Sequence, residues 1–436
     1  MSGVGSRVGS EIDMTDTDAP ARSSGIASVE DIRARFPALR RREGDQTVAY
    51  FDGPGGTQVP QRVVDAIGEY LLYHNANTHW AYPTSVETDD LLLRSRAILA
   101  DFLGATSGEI AFGANMTTLL FHIARAIGRG LREGDEIIVT ELDHHANVAP
   151  WQALARERGV VLRWLPLDPV TFRHEEGVFE RLLSSRTKVV AVGAASNILG
   201  TVSDVRSMVA RAREAGALTV VDAVHYAPHH LVDAESIGAD FLLCSAYKFY
   251  GPHVGVVYGR REATAALDLP RLEPAPDWVP ECLETGTQNH EGIVGAAAAV
   301  EFLASLAEGD VVGFSRRARL AQVMTALQHR GDALFAHLWE HLARIEGVAL
   351  YGPPPGTPRT ATLSFRVRGH TSEEVARVLA PRGVYVSHGD FYATTVARKL
   401  GFADEGFVRA GCACYTTLDE IERLVDGVRA LTHGAA

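Results

Sequence analysis

The sequence predicts an α/β protein: a mostly parallel sheet covered by helices on both faces, followed by a smaller α+β domain. Three observations carry that expectation. Between residues 110 and 260, short apolar runs alternate with helical patterns, as in strands buried on both faces of a parallel sheet. The runs end in polar residues, and such sheets hold ligands at the carboxyl ends of their strands. After residue 295 the pattern changes to a long helical stretch followed by mixed strands and helices. With 436 residues, 46% of them hydrophobic and 22% charged, the chain is long enough for two or three domains.

The elements follow in order. Residues 1–27 lack the apolar core of a signal peptide and are expected to form a disordered leader. Ser28 caps a short helix, with Asp31 three residues on. Val48-Ala-Tyr-Phe51 is a short strand running into Asp52-Gly-Pro-Gly-Gly-Thr57, a loop without phosphate-loop spacing. It is either a plain turn or a place where backbone approaches a ligand or partner. Strands are expected at 109–112, 135–140, 160–165, 188–192, 218–222, 241–245 and 255–258. Helices are expected at 117–129, 151–158 and 205–215. Helix then runs from Gly295 to about Arg344. Strand 360–367, a helix from Ser372, strand 384–387, a closing strand 407–414 and helix 418–431 complete the chain. The expected division is a leader (1–27), an N-terminal segment packing on the small domain (28–45), a large ligand-binding domain (46–294) and a small domain (295–436).

Composition narrows the function. Forty-two basic residues against 54 acidic ones give a net charge of −12, which disfavours a nucleic-acid or anionic-membrane surface. No apolar run reaches the ~20 residues of a membrane span, so a soluble, cytoplasmic protein is expected. The four cysteines form no disulfide framework and no zinc-type spacing, and no metal site is expected. Only three of the basic residues are lysines: Lys188, Lys248 and Lys399.

Four strand ends carry polar groups: Thr140-Glu-Leu-Asp-His144-His145, Ala195-Ser-Asn197, Asp222-Ala-Val-His225 and Ser245-Ala-Tyr-Lys248. Any one of them could be a helix cap, but four on one rim point to a ligand. A lysine and an aspartate at neighbouring strand ends suit pyridoxal phosphate. Its aldehyde forms a Schiff base with an amine, and a carboxylate keeps its ring nitrogen protonated. The apolar flanks of Asp222 imply a buried carboxylate that stays ionised only beside a cation. Lys188 opens a strand, at the wrong end of the sheet, and Lys399 lies beside Arg398 in a surface helix, which leaves Lys248.

The segments Leu142-Asp-His-His-Ala-Asn-Val-Ala-Pro-Trp151, Ser196-Asn-Ile-Leu-Gly-Thr201, Val221-Asp-Ala-Val-His225, Ser245-Ala-Tyr-Lys-Phe-Tyr-Gly-Pro-His253 and Glu284-Thr-Gly-Thr-Gln-Asn289 resemble the cysteine desulfurase / class V aminotransferase family of fold-type I pyridoxal-phosphate enzymes. The resemblance runs from about residue 28 to the C-terminus and implies a seven-stranded large-domain sheet. It implies that Lys248 bonds the cofactor and shuttles protons, that Asp222 pairs with the ring nitrogen, and that His144 stacks on the ring. It also implies that His225 and Asn197 contact the phenolic oxygen, and that Thr117, Thr118 and Ser245 hold the phosphate at a helix start. Thr287 would reach that phosphate from the neighbouring subunit of a homodimer. The family has His where this chain has Tyr247, which removes one phosphate contact. Arg409 resembles the arginine that holds the substrate carboxylate, a role suited to a guanidinium fork. His79, in the stretch Asn75 to Tyr82, is either an entrance residue or part of a surface loop.

One departure bears on the reaction. Desulfurases of this family carry a nucleophilic cysteine on the loop after the strand equivalent to 384–387. Here that loop reads Ser387-His-Gly-Asp-Phe-Tyr-Ala393, with Tyr392 at the thiol's place and facing the substrate side. If Arg409 faces substrate, strand alternation turns Cys412 and Cys414 away from it. The expected activity is therefore a β-eliminating C–S lyase acting on an S-substituted cysteine or selenocysteine-type amino acid, as in family members of specialised metabolism that process thiol conjugates. Oxidative decarboxylation–deamination, transamination and epimerisation remain alternatives, as does a non-catalytic pyridoxal-phosphate-binding or sulfur-relay protein.

Overall fold

Two sheets with separate cores organise the chain in a computed structural model that describes residues 25–309 and 311–433. Strands β1 (Ile110–Gly113), β2 (Glu136–Thr140), β3 (Val161–Leu165), β4 (Thr187–Gly193), β5 (Leu218–Asp222), β6 (Phe241–Ser245) and β7 (Gly255–Gly259) form the large sheet in the order β1-β7-β6-β5-β4-β2-β3. Only β7 runs antiparallel to its neighbours. Side-chain alternation supplies two cores. Val189, Ala191 and Leu243 pack on one face with Leu120 and Ile123, while Val190, Val192 and Leu242 pack on the other with Phe102 and Val300. Burial on both faces is why these strands read as unbroken apolar runs.

The helices that matter for the site are α1 (Pro83–Leu103), α2 (Met116–Gly130), α3 (His290–Ala304), α4 (Arg316–Ala343), α5 (Ser372–Leu379) and α6 (Leu418–His433). The long stretch expected from Gly295 to Arg344 is two helices, not one. Gly309 and Gly313 adopt φ of +90° and +82°, a region that excludes helix, and Ser315 restarts it by accepting the Ala318 N–H. Helix α1 was not expected. Its buried face includes Ser85, Thr88, Ser95 and Arg96, so the apolar period that would reveal it is interrupted.

The second sheet is antiparallel: β8 (Val348–Tyr351), β9 (Thr362–Val367), β10 (Ser387–Gly389) and β11 (Phe407–Gly411), in the order β8-β9-β11-β10. Two strands depart from their expected bounds. The strand expected at 384–387 divides: Val384–Tyr385 pairs in parallel with Ala49–Tyr50, and only from Ser387 does the chain join β11. The closing strand ends at Gly411 rather than Cys414. Cys412 faces the core under the second sheet, but Cys414 lies beyond the strand, in the core shared with Tyr250, whose hydroxyl accepts the Cys414 N–H.

Most of the expected leader lies outside the described residues. Its last part does not fit disorder, because Ile26 bridges Ala307 and Ile26 and Ala27 are buried. The helix Val29–Ala34 is capped by Ser28 Oγ, which accepts the Asp31 N–H at 3.1 Å. Its Ile32 and the following Phe36 pack with Tyr250 and Phe302, while Arg33 bonds Glu420 at 2.9 Å. The segment therefore touches both sheets' surroundings. Among the described residues no helix is long and apolar enough to cross a membrane.

Candidate functional site

The carboxyl ends of β1, β2, β4, β5 and β6 meet at one cavity of about 610 Å³. Each strand delivers its chemistry at its last residue or within a few residues of it. At β1, Asn115 caps α2 by accepting the Thr118 N–H at 2.9 Å, and Ser245 Oγ accepts the Met116 N–H at 3.0 Å. Thr117 and Thr118 line the cavity at this helix start, and the Thr117 N–H has no acceptor among the described residues. A helix N-terminus with a free N–H suits an anion. Gly255 makes the junction possible: a Cβ there would stand 2.4 Å from the Asn115 carbonyl carbon.

At β2, Asp143 anchors the loop that carries His144. It accepts from Thr140 Oγ1 and Asn147 Nδ2 at 2.7 Å and from the Gly193 N–H at 2.9 Å, and burial pushes its carboxyl up to about 7. His144 Nδ1 accepts the Ala146 N–H at 3.0 Å, so the neutral ring carries its proton on Nε2. Burial, with Lys248 and Arg409 nearby, lowers its pKa to about 4, and the ring is neutral at physiological pH.

Asp222 ends β5 and accepts the Val224 N–H at 2.9 Å; burial raises its pKa to about 6. The Lys248 charge lowers it in part, but among the described residues no cationic side chain forms an ion pair with Asp222, a condition that a protonated ring nitrogen would relieve. His225 Nε2 meets Thr360 and Thr362 hydroxyls at 3.1 and 3.0 Å, and its Nδ1 is buried without a partner. Asn197 Nδ2 donates to the Phe391 carbonyl at 2.9 Å, and its Oδ1 is likewise unpartnered.

Lys248 follows β6, 8% exposed. Its amine donates to the carbonyl oxygens of Pro54 and, at 2.9 Å, of Gly55. The glycine-rich loop therefore lies against this lysine. Burial, with repulsion from Arg409, lowers the Lys248 pKa to about 7. Arg409 on β11 is 3% exposed, donates to the Asn197 carbonyl at 3.0 Å and stands 3.9 Å over the Phe391 ring. Its Nε is unpartnered, and burial lowers its pKa to about 9. The other two lysines are engaged elsewhere: Lys188 bonds the Ser185 carbonyl and Lys399 bonds Glu141, both at about 3 Å.

Ten of the twelve sequence-predicted site residues thus gather around one cavity and its mouth. Tyr392 stands at that mouth, 72% exposed, its ring 5.4 Å from that of His144. Thr287 and His79 do not join them. Both are exposed and line a separate groove of about 540 Å³ with Asp89, Leu93 and Leu272. Sequence reasoning missed Asp143, Thr360, Thr362 and His253, the last stacked on Tyr247 at 4.9 Å and lining the cavity. His253 sits within the Lys248 motif and was within reach; the threonines, from the other sheet, gave no local signal.

The residues present fit pyridoxal phosphate. The orphaned Asn197 Oδ1 and His225 Nδ1, an aspartate in no ion pair among the described residues, a buried amine and an open helix start all face one cavity. Capture of the cofactor needs the neutral amine, so its rate in the apoprotein is expected to rise with pH around 7. An unperturbed lysine would place that rise near 10.4. The visible absorbance gained after mixing, followed from pH 6 to 9, measures it; a rate still climbing tenfold per unit at pH 9 would contradict the low pKa.

Residues 49–424 match the family model described as aminotransferase class-V. A probable cysteine desulfurase 2 of Mycobacterium leprae is 37% identical over 421 residues, covering 91% of this chain and 95% of that one. A cysteine desulfurase of Pectobacterium atrosepticum is 31% identical, over 92% of this chain and 97% of its own. Among solved structures, the apo cysteine desulfurase of Thermococcus onnurineus superposes with a TM-score of 0.84 at 30% identity, over 93% of this chain and 98% of that one.

Proposed function

The chain belongs to the class-V aminotransferase family, a group of pyridoxal-phosphate enzymes with amino-acid substrates, and we propose that it is a β-eliminating C–S lyase acting on an S-substituted cysteine without a persulfide. One observation carries the reading: all four cysteines are buried, and the loop after Ser387 offers Tyr392 and no thiol. Burial raises the thiol pKa of Cys412 and Cys414 to about 12, and it raises those of Cys244 and Cys282 as well. A nucleophilic thiol needs the opposite environment, exposed and electropositive.

When bound, pyridoxal phosphate supplies an electron sink that acidifies the substrate's Cα–H. Lys248, Asp222, His144, Asn197, His225, Thr117, Thr118 and Ser245 would hold it. Arg409 then binds the substrate carboxylate, for which its unpartnered Nε is available. Lys248 takes the Cα proton, the Cβ–S bond breaks with its electron pair on sulfur, and the thiolate takes up a proton. Overall, water and an S-substituted cysteine give a thiol, pyruvate and ammonium, with no oxidant or reductant.

A homodimer belongs to the same reading. The groove holding Thr287 and His79 lies among exposed apolar side chains, including Leu93 and Leu272, 61% and 64% exposed. A second copy covering it would carry these two residues toward the partner's cavity.

Alkylation tests the absence of a working thiol. Native holoenzyme treated with iodoacetamide is expected to keep its mass and its activity. Stoichiometric alkylation with loss of activity would restore a persulfide mechanism.

A further inference from the structure

Beyond Lys248 the cavity opens into an outer chamber of about 470 Å³ whose walls differ in kind from the inner one. Phe121, Ala149, Phe391 and Tyr392 line it, and among the described residues no acidic side chain does. Phe391 and Tyr392 are consecutive left-handed residues, with φ of 54° and 57°. Bulky side chains seldom adopt that region, and the surrounding structure must hold them there. Three hydrogen bonds do so. The Phe391 carbonyl accepts from Asn197 Nδ2 at 2.9 Å, the Tyr392 carbonyl from the His145 N–H at 2.7 Å, and Asp390 Oδ1 from the Tyr392 N–H at 3.1 Å. The Tyr392 backbone is thereby held at the mouth, where its ring stands 5.4 Å from that of His144. Arg409 and Lys248, the Lys/Arg cations of the chamber, have assigned work at the substrate carboxylate and Cα.

Resting on the C–S lyase reading, we propose that this chamber is the subsite for the sulfur substituent and takes an uncharged aromatic or branched apolar group between Phe121 and Tyr392. With the carboxylate at Arg409 and Cα at Lys248, the side chain has the outer chamber before it. The aromatic rings there favour apolar and aromatic groups, and a carboxylate on the substituent would find, beside the engaged Arg409 and Lys248, only the imidazoles of His144 and His145 among the described lining residues.

The test titrates holoenzyme with S-methyl-, S-benzyl- and S-carboxymethyl-L-cysteine. Affinity is read from the cofactor's visible spectrum, and released thiol is measured in parallel. S-benzylcysteine is expected to bind at least fivefold tighter than S-methylcysteine, and S-carboxymethylcysteine weakest of the three. Phe121→Ala and Tyr392→Ala, checked for folding by circular dichroism, should each bring the benzyl-to-methyl ratio below threefold. A wild-type ratio under fivefold, tightest binding of the acidic analogue, or an unchanged ratio in both variants overturns the proposal. The two readings separate cleanly. Tight benzyl binding without thiol release keeps the chamber and sinks the lyase; thiol release without size preference does the reverse.

Discussion

Replacing Lys248 by alanine is expected to abolish the visible absorbance that marks covalently held cofactor and to lower turnover by about 10⁴-fold, at the top of what a single proton-transferring group contributes. The expectation rests on position. Lys248 is the one lysine of the three at the cavity, its amine is held by the Pro54 and Gly55 carbonyls, and burial keeps it near neutrality. Removing it also leaves those carbonyls without their donor, so thermal unfolding should be recorded alongside. A variant that folds and still shows the absorbance would move the chemistry to another amine, and neither Lys188 nor Lys399 lines the cavity.

The second large effect is expected at Asp222. Asp222→Asn keeps the shape and an acceptor for the Val224 N–H, but it removes the buried charge that would face the ring nitrogen. Losing one partner of a buried ion pair costs about 2–5 kcal/mol, equivalent to about 30- to 4,000-fold. The loss should fall on kcat, because the electron sink weakens while Arg409 still binds the substrate carboxylate. The absorbance should therefore persist in Asp222→Asn and vanish in Lys248→Ala. Equal absorbance and equal kcat in Asp222→Asn and wild type would remove Asp222 from the site.

Much of this architecture was legible in the chain because buried parallel strands are continuous apolar runs with polar ends. Leu218–Asp222 and Phe241–Ser245 match their expected bounds to the residue, and the chemistry follows each of them directly. What stayed hidden depends on pairing across long sequence separations. The break at Val386 is set by Ala49–Tyr50 on one side and Arg409 on the other, neither visible from 384–387 itself. The strand Val348–Tyr351 is only partly buried, so its alternation is weak. Likewise the Thr360 and Thr362 hydroxyls that hold His225, and the Phe391 ring under Arg409, reach the site from the segments around the second sheet. Local pattern names the groups that carry chemistry, whereas the groups that orient them are set by tertiary structure.

The strain at Phe391 and Tyr392 also bears on the reaction. A loop that carried a nucleophile would have to bring it to the substrate, whereas this one is pinned at three backbone atoms and presents a phenol. That geometry suits a wall better than a reactive arm.

Product analysis separates the two chemistries most directly. Holoenzyme is given L-cysteine and S-benzyl-L-cysteine in separate reactions, and pyruvate, alanine, thiol and sulfane sulfur are quantified in each. Pyruvate and benzyl thiol are expected in equal amounts from S-benzylcysteine, with neither alanine nor protein-bound sulfane sulfur from either substrate. Alanine with persulfide sulfur from free cysteine, and no thiol from the conjugate, would contradict it.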